Sequence, residues 1–134
     1  MAFKLINPAS LGTPKGFSNG VLTDAVGRLL FIAGQIGWDA QQNIVSENLV
    51  EQFDRALANV VAVVSEAGGN PDQIARLVIY VTDKKEYTLN LKAVGESYRA
   101  RMGRHFPAMV LVEVKSLLED KALVEIEAMA VLNS

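Results

Sequence analysis

Leu123-Val124-Glu125-Ile126-Glu127-Ala128-Met129-Ala130-Val131-Leu132 closes the chain with a clean alternation. Glu125 and Glu127 fall on one side and Val124, Ile126, Ala128 and Ala130 on the other, the two-residue period of a β-strand. An apolar strand face needs a covering layer, and the segment from Leu49 supplies one. There Phe53, Ala56, Leu57, Val60, Val61 and Val64 recur at the spacing of one helical face. Asn48 caps the first turn, Glu51 takes the reciprocal capping-box position, and Gly68-Gly69 provides a left-handed stop.

Further strands flank this pair. Val21 to Val26 and Leu29 to Ile36 read as a β-hairpin joined by Gly27-Arg28, glycine in first place suiting a type II′ turn. Leu29 to Ala33 is apolar without alternation, the pattern of a strand covered on both faces. Gly34 and Gly37 mark a strand end or a close backbone approach. After the Asn70-Pro71 turn, Ile74 to Thr82 forms a central strand around Leu77-Val78-Ile79-Tyr80-Val81. Tyr87, Leu91, Val94 and Tyr98 make the stripe of a second helix ending near Gly103, which Gly95 weakens unless packing requires it. Met109 to Lys115 is the next strand, and Phe3 to Ile6 is a possible additional one. Two helices for five or six strands define an α+β layer with both helices on one sheet face, in a single domain spanning residues 1–134. The other face must be buried too. In so short a chain self-association into a closed cyclic oligomer is expected.

Composition narrows the chemistry. The 134 residues are 50% hydrophobic, with 13 basic and 15 acidic side chains and a net charge of −2. That is ample for one core and offers no global positive surface for nucleic acid. Without cysteine there are no disulfides, thiolate metal ligands or thiol nucleophiles, and a single histidine cannot build a multi-histidine metal site. No metal and no cofactor are expected, and catalysis falls to carboxylates, backbone groups, hydroxyls or cations. Met1 to Ser10 lacks the apolar core of a signal peptide and no run approaches a membrane span, so a cytoplasmic protein is expected.

Four features carry potential chemistry. The Glu125/Glu127 pair is either a solvated strand edge or a cleft carboxylate that orients water and moves protons. His105, before Phe106-Pro107, is read as structural in preference to catalytic. Arg99, Arg101 and Arg104 either favour a helix C-terminus or present a cation to an anionic ligand. Trp38 is read as packing on its own loop in preference to forming a ligand platform.

Several stretches together resemble the YjgF/RidA (Rid) family across nearly the whole chain. They are Ile32-Ala33-Gly34-Gln35-Ile36, Asn59 with Glu66-Ala67-Gly68, Val78 to Asp83, Phe106-Pro107-Ala108, and Leu123 to Ala128. The resemblance implies a chorismate-mutase-like protomer in a homotrimer, with small-molecule ligands in clefts between subunits. It also implies hydrolysis of enamines and imines to a keto acid and ammonia. In that scheme the water-positioning glutamate matches Glu125, and the backbone of the Gly-Gln strand end matches Gly34 and Gln35. The carboxylate-binding arginine falls on Met109, the cleft tyrosine on Phe17, and a helical asparagine on Lys92. Leu111, two residues beyond Met109, lines the same site. The resemblance therefore implies a deaminase or hydrolase of imine or enamine type with an altered substrate, because Met109 cannot donate to a carboxylate. A non-catalytic, metabolite-binding trimer is the alternative, and endoribonuclease or translation-inhibitor activity the least favoured reading.

Overall fold

The computed structural model describes residues 3–24 and 27–133. Its strands are β1 (Lys4–Ile6), β2 (Gly20–Leu22), β3 (Arg28–Ile36), β4 (Ile74–Val81), β5 (Ala108–Glu113) and β6 (Val124–Leu132). The α-helices are α1 (Leu49–Glu66), α2 (Lys84–Leu89) and α3 (Leu91–Met102), joined by short 3-10 turns elsewhere. The main sheet runs β3-β6-β4-β5. Its β3/β6 and β4/β6 pairs are antiparallel, while β4 and β5 are parallel and connected through α2 and α3. An α+β fold with helices on one side of a mixed sheet is therefore present.

The core follows from the two periods. Phe53, Ala56, Leu57, Val60 and Val64 of α1 are buried against Leu77, Ile79, Val81, Val124, Ile126 and Ala130 of the sheet. At the start of α1 the Glu51 N–H donates to Asn48 Oδ1 at 3.1 Å. The reciprocal half of that cap is relayed: the Asn48 N–H donates to Ser46 Oγ, and the Ser46 hydroxyl donates to the Glu51 carboxylate. At its end the Gly69 N–H donates to the Val64 carbonyl and the Gly68 N–H to that of Ser65, with Gly68 at φ 89°. This is the double-bonded stop expected of a left-handed residue. Gln52, fully buried, donates to the carbonyls of Ser46 and Lys121 and accepts from the Leu123 N–H, joining two loops to α1. Asn59 donates to the carbonyls of Ile36 and Trp38, and a Cβ on Gly37 would lie 2.7 Å from Gln52 Cα, so the end of β3 is seated directly on α1.

Three expectations need correction. The hairpin does not form: β2 pairs with β1 in its own two-stranded sheet, and β3 pairs with β6. Ile6 packs over the bare Cα of Gly20, and Asn7 Oδ1 accepts from the Asn19 backbone and amide, which holds β2 to β1. Ala25 and Val26 of the proposed hairpin lie outside the described residues. Second, β3 is an edge strand covered on one face only within the chain, with Leu29 61% and Phe31 69% exposed while Ile32 is buried. Third, the second helix is two helices. Asn90 breaks it at φ −116°, ψ 21°, and its amide donates to the Glu86 carbonyl.

Helix α3 is fastened to α1 by Arg101, whose Nε and Nη2 reach the two Asp54 carboxylate oxygens at 3.1 and 2.8 Å, while the Ser97 hydroxyl donates to Oδ1. The Arg101 hydrogen bond, assisted by Ser97 and opposed by partial burial, holds the Asp54 carboxyl below its ordinary value of 3.8. Ionised Asp54 thus favours the fold above that value, and its contribution fades as pH falls through the lower folded value. Both side chains are about two-fifths exposed, so Asp54→Asn should cost only ~0.5–1 kcal/mol at pH 7. The difference from the parent should narrow as the medium is acidified below the ordinary carboxylate range, as measured by urea midpoints at fixed protein concentration.

Candidate functional site

The groups implicated in chemistry occupy two separate places on the sheet. The first is the β3/β6 edge. The β3–β6 register slips between Ile32 and Gln35, placing one extra residue on β3 at Ala33-Gly34. The bulge brings the bare Cα of Gly34 beneath the Glu125 side chain. A Cβ there would lie 2.8 Å from Glu125 Cδ and collide with the carboxylate. Gln35 is half-buried, and its amide donates to the Ala33 carbonyl at 3.1 Å. Glu125, Gly34 and Gln35 are thus together.

Glu127 projects from the same face of β6 as Glu125 but is already engaged, because the Tyr80 hydroxyl donates to its Oε1. That hydrogen bond to a carboxylate raises the Tyr80 phenol above its ordinary value. Of the two glutamates, Glu125 is the one held over a backbone gap.

The second place is a cavity of about 640 Å³ between β5 and the helices α2 and α3. Phe17, Met109 and Leu111 line it. Phe17 is put there by its neighbour: the buried Ser18 donates its N–H to the Pro107 carbonyl and its hydroxyl to that of Phe106, laying residues 16–18 beside the start of β5. The stripe Tyr87, Leu91, Val94 and Tyr98 forms the opposite wall. Burial raises the phenols of both Tyr87 and Tyr98, and the Tyr98 hydroxyl donates to the His105 carbonyl at 2.6 Å. Lys92 is exposed on α3 and is not among the residues lining this cavity, whose helical wall includes Leu91 and Val94.

His105 Nε2 is 2.7 Å from the Ile74 carbonyl, and its ring stacks on Phe3. Trp38 bridges to Ile44 in its own loop. The three arginines separate, Arg101 pairing with Asp54 and Arg99 lining the cavity, while Arg104 is exposed. Lys15, Lys84 and Ser18 were not singled out from sequence. Only Ser18 had a signal, as the neighbour of Phe17 in Gly16-Phe17-Ser18.

The two places do not merge within one protomer. Cross-strand partners share a face, so Glu125, Tyr80 and Val112 project together, whereas Met109 and Leu111 project toward the helices. Glu125 also lies two strands from Met109, ~10 Å across the sheet, with β4 between them.

Comparison with known proteins matches residues 9–132 to the family described as Endoribonuclease L-PSP. A RutC family protein of Pyrococcus abyssi is 34% identical over 106 residues, covering 78% of this chain and 80% of its own. The structure of YyfB from Yersinia pestis, a protein of unknown function in the conserved Rid family, superposes with a TM-score of 0.87 at 34% identity, covering 98% and 100% of the two chains. The E. coli YjgF structure is similar at TM-score 0.67 and 30% identity over 93% and 92%. The chain belongs to the YjgF/RidA family.

In this Rid protein no helix among the described residues is long and apolar enough to cross a membrane, and no group of three or more His, Asp or Glu side chains among them converges as a metal site. Gly34→Ala should displace the Glu125 carboxylate yet cost about 1 kcal/mol or less, because the obstructing atoms end a flexible side chain. A crystal structure of the variant, with its thermal midpoint, checks both parts.

Proposed function

We propose that this protein is a Rid-type hydrolase or deaminase of imines, enamines or related carbonyl compounds, acting at clefts between copies of the chain. The observation that carries this reading is the division just described. Glu125 stands over Gly34 at one sheet edge, and the cavity of Phe17, Met109 and Leu111 opens at the other. A second copy docking edge to edge would unite them. The bare sheet face supports such assembly, since Leu29, Phe31, Val110 and Val112 are all at least 40% exposed there. A closed homotrimer, the arrangement implied by the family resemblance, covers that face and yields three clefts.

In the proposed step Glu125 takes a proton from water as the water oxygen bonds to the imine carbon, and returns it to the nitrogen to give a carbinolamine. Glu125 then takes the hydroxyl proton and passes it to the amine as the C–N bond breaks, so that ammonia leaves and a carbonyl remains. Backbone groups at Gly34 and Gln35 orient the reacting end. In this reading Met109 stands where an arginine would hold the substrate carboxylate, so a small 2-imino acid lacks a charge-assisted anchor of ~1.5–3 kcal/mol. The substrate is accordingly a different one. A binding-only role draws support from the same apolar lining. Ribonuclease chemistry has little support: the single histidine is engaged at the Ile74 carbonyl, and the net charge is −2.

The test is ammonia release from imines derived from 2-aminoacrylate, with light scattering to count subunits. The parent should be slow. Met109→Arg should raise kcat/KM by ~10- to 100-fold, and adding Glu125→Gln should then lower kcat by ~10²–10⁴. Inactivity of both parent and Met109→Arg across an imine panel would favour the binding role. Fast turnover by the parent would show that Met109 does not exclude the usual substrate.

A further inference from the structure

The cavity beside Met109 is apolar in its walls and positive at its polar points. Lys15, Lys84 and Arg99 line it, and no Asp or Glu is among its described lining residues. Arg99 is the most specifically placed of the three. It lies one turn beyond Gly95 on α3, and its guanidinium folds back over that glycine: a Cβ on Gly95 would lie 3.1 Å from Arg99 Nη1. A glycine inside a helix is destabilising relative to alanine, and here its bare Cα makes room for the cation. Arg101, two residues on, is neutralised by Asp54. Among the described residues no carboxylate forms an ion pair with Arg99.

Size points the same way. The cavity, about 640 Å³ and open to solvent in the single protomer, is larger than a three- or four-carbon imino acid fills. Aromatic groups make much of the wall, Phe17, Tyr87, Tyr98 and Phe106 among them.

We propose that Arg99, seated over Gly95, is the anion anchor of this site, and that the ligand is a carboxylate with a large aromatic or aliphatic body lying along Met109 and Leu111. The carboxylate is held at α3, remote from β5, and the apolar body occupies the space beside Met109. This deepens the function proposed above and rests on it for placing the reacting end toward Glu125. The binding geometry, however, is testable without turnover.

The experiment is calorimetric titration of the full-length protein with 4-phenylbutanoate and with its neutral isostere 4-phenylbutanamide. The acid should bind at least ~10-fold more tightly than the amide. Arg99→Gln should abolish that preference while leaving the amide unchanged. Gly95→Leu, which keeps the charge but fills its seat, should weaken the acid selectively. Arg104→Gln, which removes an exposed cation outside the cavity, should change neither. Equal binding of acid and amide by the parent, or no binding of either at millimolar concentration, would overturn the proposal. So would a preference that survives Arg99→Gln, or one lost equally in Arg104→Gln. Failure of imine hydrolysis alone would strike the catalytic reading and leave these binding results standing.

Discussion

A four-stranded sheet has two faces, and this chain supplies helices for one of them. Nearly everything else follows from that shortage. Helix α1 buries Phe53, Leu57, Val60 and Val64 against one face, while the other carries Phe31, Val110 and Val112 beside Tyr80, Glu125 and Glu127. Burying a Val or Phe side chain is worth ~1.5–3 kcal/mol, so a face of this kind favours association strongly. Because carboxylates share it, any chain covering this face would also meet them.

Within the protomer that distinction is already drawn. Glu127 receives a hydrogen bond from Tyr80, its diagonal neighbour on β4, and is thereby occupied. Glu125, two residues earlier, meets the bulge in β3, where Gly34 provides no side chain to satisfy or obstruct it. Strand alternation puts both glutamates on one face, but a single extra residue in the facing strand separates their roles. A bulge beside a half-buried carboxylate is a structural feature that re-aims a side chain, and glycine at position 34 leaves Glu125 room to lie over it.

Much of the fold was legible because it rests on local periodicity. The α1 stripe, its Asn48 cap and Gly68 stop, and the alternation of β6 all depend on residues close in sequence. What was not legible depends on choices among distant partners. The strand at Gly20–Leu22 has no local signal to prefer β1 over β3, and the preference comes from Ile6 over Gly20 and from the Asn7–Asn19 bonds. The break at Asn90 was hidden because Tyr87, Leu91 and Val94 still share one wall across it. Of the residues the resemblance points to, Phe17 and Met109 line the cavity and Gly34 lies beneath Glu125, while Lys92 is exposed outside that cavity. A helix turns 100° per residue, so an alignment offset of one residue is enough to move a side chain off the wall.

Position 109 and position 99 are best understood as one problem in electrostatics. An apolar side chain at 109 makes the β5 side of the cavity a poor place for a charge, since a carboxylate desolvated there without a donor is penalised by several kcal/mol. Any anionic ligand must therefore orient its charge elsewhere, and Arg99, folded over the bare Cα of Gly95, is a cation on the helical wall. An anchor at Arg99 holds a ligand's charge on α3, a different element from β5. In the proposed reading it favours a longer substrate and leaves Glu125, the carboxylate proposed to handle water, unaltered. The glutamate, the bulge and the bare face can stay as they are while specificity changes, because the anchor sits on a different element from the chemistry.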